Sequence, residues 1–152
     1  MKPVDPLHPP PFSAPGSYVA RGFREAPAPI LAPIFMERAI ADGIPKERLR
    51  RVAELVTGDS VEATKLMHAI VPKSSLSRRD TLTPAQGEQT ERLSRLFGYA
   101  VRIFGAVEEA RVFMRRRHPE LDDRRPIDAA LSELGGRAVE QVLDSLAFGL
   151  PV

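Results

Sequence analysis

The chain has no cysteine and no tryptophan, only three histidines, and aromatic residues at 6% of its 152 positions. Without cysteine there is no disulfide and no thiolate metal site, which suits a reducing cytosol. The three histidines, His8, His68 and His118, stand far apart and lack the His-x-x-x-His or Glu-x-x-His spacing that puts two ligands on one helical face. No apolar run is long enough to span a bilayer. The first residues are one lysine among prolines, unlike the apolar segment of a signal peptide. These features predict a cytoplasmic, non-enzymatic protein that needs no metal and no cofactor. Charge excludes little. The 22 Lys and Arg against 20 Asp and Glu leave a formal net charge of +2. Nucleic-acid binding is compatible with that balance but not required by it.

Hydrophobic residues make up 43% of the chain, enough for a real core, and 152 residues fit one ordinary domain or two very small ones. Proline is unevenly spread. Nine of the fifteen (Pro3, Pro6, Pro9, Pro10, Pro11, Pro15, Pro27, Pro29 and Pro33) fall in residues 1–33. Each fixes its own φ, removes a donor and drives its predecessor out of the helical region. Residues 1–33 therefore read as a disordered or extended arm.

From Ile34 onward the chain reads as helix after helix, with no sustained period-two alternation. A short helix at 34–42 stops at Gly43. Pro45 opens a second with Leu49, Val52, Ala53 and Val56 on one face, and Gly58 ends it. Asp59 or Ser60 caps a third, with Val61, Ala63, Leu66, Met67 and Ile70 inward. A short basic helix is expected over 72–79. Thr83-Pro84 with Gln86 is a capping-box opening for a long helix whose stripe includes Leu93, Leu96, Phe97, Ala100, Val101 and Phe104. Gly105 interrupts it, and a further helix runs to about Arg117. Helices over 126–134 and 136–148 complete the set, with Gly135-Gly136 as their boundary. Val139, Val142, Leu143 and Leu146 form the stripe of the last.

Three groups of residues invite a functional reading. Lys73, Ser74, Ser75, Ser77, Arg78 and Arg79 follow a helix and a turn, as the second helix of a helix-turn-helix does. The cations can neutralise phosphates and the hydroxyls can hydrogen-bond phosphates or base edges. A solvated basic helix explains the same residues, and residues 34–83 carry nine Lys and Arg against seven Asp and Glu. Arg124 and Arg125 precede a helix start, where the dipole disfavours cations. Pairing with Asp122-Asp123 is the plainer explanation, and an anionic partner surface is the other. The apolar tail, Phe148, Gly149, Leu150, Pro151 and Val152, either folds back onto the core or enters a partner's groove.

The order of these elements carries a resemblance. Pro72-Lys73-Ser74-Ser75-Leu76-Ser77-Arg78-Arg79, then Leu82-Thr83-Pro84, then His118-Pro119-Glu120-Leu121, then Arg125-Pro126-Ile127-Asp128, then Glu133-Leu134-Gly135 and the Gly149-Leu150-Pro151 tail make a series. Over residues 45–152 this resembles the Xre/ParS-type antitoxins of RES–Xre toxin–antitoxin modules. The chain departs from the pattern at Phe113-Met114, where Trp-Leu is preferred, and at Asp122-Asp123, where Gly-Gly is usual. The resemblance implies an all-α protein in three parts: the arm at 1–33, a small Xre-like helix-turn-helix part at 34–82, and a helical toxin-binding and dimerisation part at 83–152. It also implies a RES-domain toxin that consumes NAD or transfers its ADP-ribose. The antitoxin would occlude that toxin's active site as a homodimer within the complex and in some members repress its own operon. Arg124, Arg125 and Phe148 to Val152 are the expected toxin contacts, and Lys73 to Arg79 the expected DNA contacts. A stand-alone helix-turn-helix regulator is the alternative.

Overall fold

The computed structural model describes residues 33–149, with side chains from Met36 onward. The expected arm (all but Pro33) and Leu150, Pro151 and Val152 lie outside the described residues. The described part is all-α. Eight α-helices and one 3-10 turn follow one another, and among the described residues extended pairing is limited to two isolated β-bridges.

Helix α1 spans Pro33–Asp42 and α2 spans Lys46–Thr57. Helix α2 ends where Gly58 takes a left-handed conformation, φ 67°, which a side chain would resist. The Asp59 carboxylate accepts from the backbone N–H groups of Val61 and Glu62, so α3 begins at once and runs Ser60–Ile70. Helix α4 is one turn, Lys73–Leu76, and so shorter than the basic helix expected over 72–79. Past it the chain is extended: Leu82 N–H donates to Ile44 C=O at 2.7 Å and Lys46 N–H to Asp80 C=O at 2.9 Å. This pinch ties the start of α2 to the approach of α5.

Helix α5, Pro84–Phe104, carries the capping box read from the sequence, with Thr83 and Gln86 each satisfying the other's backbone N–H. Gly105 ends it at φ 73°. Helix α6 spans Val107–Arg115, the 3-10 turn Pro119–Leu121, α7 Pro126–Ala129 and α8 Glu133–Phe148. Two expected bounds move. Helix α7 stops at Ala129 rather than Leu134, and α8 begins three residues before Gly136. The reason is Ser132, whose hydroxyl accepts the Gly135 N–H at 3.0 Å and caps α8 there. The two glycines therefore lie in the first turn of α8.

One apolar cluster runs through all of this. Leu49, Val52, Ala53 and Val56 of α2, Ala63, Leu66 and Ile70 of α3, Leu93, Leu96, Phe97 and Ala100 of α5, Phe113 and Met114 of α6, and Val139, Val142 and Leu143 of α8 are all buried in it. Val61 and Leu146, expected inward, are exposed at 61% and 38%. Val61 lies almost opposite the arc that Ala63, Leu66 and Ile70 bury, whereas Leu146 stays in line with Val139, Val142 and Leu143 and is exposed near the end of its helix.

Candidate functional site

Two long helices set the frame. Arg92 packs on Gly136, Arg95 pairs with Glu140, and the Tyr99 hydroxyl donates to Asp144. Residue numbers rise together on both sides, so α5 and α8 run parallel. The hydrogen bond to Asp144, with smaller effects of desolvation and the carboxylate's charge, holds the Tyr99 phenol above its ordinary pKa. These contacts turn Gln141, Leu134 and Phe148 of α8 outward. Leu134 is 79% exposed and Phe148 76%. Of the two readings of Phe148, packing onto the core does not occur. Gly149 closes the helix at φ 64°, its N–H donating to Ser145 C=O. Leu134 was missed as a surface residue, because sequence reading placed it at the end of α7.

The segment joining α6 to α7 is a tight loop. His118 N–H donates to Arg124 C=O at 3.2 Å and Asp123 N–H to His118 C=O at 3.1 Å. Leu121 anchors it in the core. Asp122 and Asp123 both adopt φ 56°, a region that favours glycine, and aspartate tolerates it better than most residues. Their side chains point to solvent. The expected pairing of Arg124 and Arg125 with these two aspartates is not what forms. Arg124 is exposed and its Nε donates to Leu121 C=O at 3.1 Å. Arg125 forks onto Asp128 at 2.6 and 2.9 Å and reaches Glu62 of α3 at 3.7 Å. Asp128 sits in the first turn of α7, where the helix dipole favours an anion, so it draws Arg125 away from the loop. The three-residue spacing of Arg125 and Asp128 was the signal available for this pair. Glu62 is held below the usual carboxylate range by its hydrogen bond from Lys65 first, then by Lys65's charge, with Arg125 adding to it.

Arg125 thus joins α3 to the loop before α7. Arg111 of α6 adds a second tie, donating from Nε to Leu55 C=O at 2.9 Å near the end of α2. These contacts separate the two arginines by experiment. Arg125→Glu places a third carboxylate beside Glu62 and Asp128 and is expected to destabilise by roughly 1–2 kcal/mol, allowing for partial solvent screening. Arg124→Glu should leave the melting temperature within about 1–2 °C of the parent, since surface substitutions stay within about 0.5 kcal/mol. Thermal melts by circular dichroism check both.

The basic segment lies elsewhere. Lys73, Ser74, Ser77, Arg78 and Arg79 are exposed and Ser75 is half-buried. Ser77 Oγ donates to Ser74 C=O at 3.1 Å, closing the end of α4. Lys73, Arg78 and Arg79 have no ion-pair partner among the described residues. An open groove between α2 and α3 borders this segment at Leu76, with Met67 and Ala63 at its floor and Lys46, Arg50 and His68 on its walls.

Residues 100–149 match the family model for the Antitoxin Xre/MbcA/ParS C-terminal toxin-binding domain. That segment is similar to the C-terminal toxin-binding domain of the Xre/ParS-type antitoxins. The matched toxin-binding domain takes in the end of α5, all of α6 to α8 and the loop between α6 and α7. It includes Arg124, Arg125, Phe148 and Gly149, while Lys73 to Arg79 precede it and Leu150, Pro151 and Val152 follow it. No curated protein matches the chain. No helix among the described residues is long and apolar enough to cross a membrane.

Proposed function

We propose that the chain is the antitoxin of a type II toxin–antitoxin module and neutralises a RES-domain, NAD-consuming or ADP-ribosylating toxin in the cytoplasm by covering its active-site cleft. The observation that carries this reading is the toxin-binding domain at 100–149, ending on an exposed phenylalanine. An aromatic side chain that is 76% exposed at a helix end is a ready anchor for a partner's pocket. Leu150, Pro151 and Val152 continue the apolar sequence from it. Arg124 is an exposed cation on the same domain. Arg125 already has two carboxylate partners, so Arg124 is the stronger candidate of the two for toxin contact. Co-expression with a RES-type toxin tests the reading. The intact chain should preserve growth and cellular NAD, and a toxin that stays active in its presence would sink the proposal.

Operator binding is a second activity, favoured by Lys73, Arg78 and Arg79, which have no ion-pair partner among the described residues. A four-residue helix supplies too little length to read a major groove alone, so phosphate contact is the role these residues suit. Replacing all three with alanine should weaken operator binding uniformly across sequences. Losing up to three phosphate contacts should also flatten the salt dependence by about 0.9 for each. Neutralisation should survive. A titration in which the triple variant keeps full affinity and full salt slope would remove this segment as the DNA contact. A stand-alone regulator would bind DNA in the same way but ignore the toxin.

A further inference from the structure

We propose that the groove between α2 and α3 docks an acidic peptide segment of another protein, one that carries a large apolar side chain beside its carboxylates. The groove has a volume of about 440 Å³ and is open along its length. An open trough suits a chain that lies along it, whereas a small ligand is held by enclosure. All of its lining precedes residue 100, so it stands outside the matched toxin-binding domain. The site therefore does not depend on the toxin reading.

The turn at Gly58 and Asp59 folds α3 back along α2, so the groove has two unlike ends. Lys46 and His68 stand at one end beside Leu76, and Glu54 and Ser60 stand at the other. Lys46 is fixed in place. Its ammonium donates to Asp80 at 3.1 Å and to Leu76 C=O at 3.4 Å, which leaves one of its three N–H groups for a ligand. Arg50 is exposed and forms no ion pair among the described residues, although Glu54 is one helical turn away. Its guanidinium is open to fork onto a carboxylate. The floor is apolar. Ala63 is buried, and Met67 and Leu76 are half-buried against the core. A methionine side chain adapts its shape to an apolar group laid on it. The complementary segment has carboxylates at the Lys46 end, an apolar side chain over Met67 and no acid opposite Glu54. Duplex DNA meets the first requirement and fails the other two. Its backbone offers no apolar side chain to the floor, and Glu54 repels phosphates that run on past Arg50. Past Leu76, Lys73, Arg78 and Arg79 continue the positive end and draw an acidic segment in from a distance.

Fluorescence anisotropy of labelled synthetic peptides with the full-length chain tests the proposal. Two peptides, with a run of glutamates before or after a pair of leucines, cover both chain directions. Each has one counterpart with lysine for every glutamate and another with serine for every leucine. The parent should bind one of the acidic peptides about tenfold or more tightly than either of its counterparts. Arg50→Glu should weaken that binding about tenfold or more by setting like charges together. Met67→Ser should weaken it by a similar factor through loss of the apolar floor. Thermal melts of both variants establish that each is folded, and Arg50→Gln, which removes the cation alone, should give a smaller loss than Arg50→Glu. A labelled duplex of mixed sequence reads the competing occupant, and Met67→Ser should leave its binding unchanged. A parent that binds neither acidic peptide more tightly than the counterparts overturns the proposal. So does a folded Arg50→Glu or Met67→Ser variant with parental affinity, or a Met67→Ser variant that loses duplex and peptide alike.

Discussion

Gly135→Ala is expected to be the most damaging glycine-to-alanine change among the described residues. A β-carbon at Gly135 would lie 2.8 Å from the Ala129 carbonyl carbon and closer still to its oxygen. Both are backbone atoms at the end of α7, so nothing flexible can turn aside. Ala129 is itself fully buried, and Ser132 holds the junction from the other side by capping α8. Relief requires α7 and the start of α8 to separate, which opens the core at Ile127, Ala129 and Val139. Overpacking a rigid site costs about 1–3 kcal/mol and sometimes more. Here the upper end is expected, a fall in melting temperature of roughly 10 °C or beyond. Gly136→Ala supplies the contrast. Its new methyl would meet the Arg92 side chain, whose far end can swing into solvent. Its cost should be less than half that of Gly135→Ala. Thermal melts that rank the two variants the other way would show that the α7–α8 junction is not packed as described.

The same junction shows what the sequence could and could not say. Periodicity found the helices, because α2, α5 and α8 each carry an apolar stripe that does bury. The capping box at Thr83 and the stops at Gly43, Gly58 and Gly105 were legible because each is local chemistry. Two adjacent glycines looked like a break between helices. Their real role, close approach of a neighbouring carbonyl, depends on where α7 ends, and that is a tertiary fact. The site divided in the same way. Phe148 was legible as the first residue of an apolar stretch, with two fates left open. Burial decided between them, since the inward arc of α8 is already filled by Val139, Val142 and Leu143. The partner of Arg125 was misread, because Asp122 and Asp123 are nearer in sequence. Their left-handed backbone turns them to solvent, and Asp128 and Glu62 come to the guanidinium instead.

Phe148→Asp is expected to abolish toxin neutralisation while leaving the fold unchanged. The side chain is 76% exposed, so replacing it removes almost no burial within the domain. Its melting temperature should stay within about 2 °C of the parent. At a partner's pocket the effect is opposite in size. Aromatic anchors at the centre of an interface are worth about 2–4 kcal/mol or more, which corresponds to a loss of roughly 30- to 1,000-fold in affinity. A carboxylate forced into the same pocket adds the cost of burying an unpaired charge. Leu143→Ala provides the control for a lesion in the fold. Leu143 is fully buried, and its truncation should cost about 2–5 kcal/mol of stability. It should weaken neutralisation only as far as it depletes folded protein, so lower temperature should restore its activity and should not restore that of Phe148→Asp. The measurements are calorimetric titration of each variant into the purified toxin and growth on co-expression, beside a thermal melt of each. A well-folded Phe148→Asp variant that binds toxin with parental affinity would exclude this end of α8 from the neutralising surface. The toxin contact would then have to be sought on the loop at Arg116, Arg117 and Arg124, whose exposed guanidinium groups lie on the same domain.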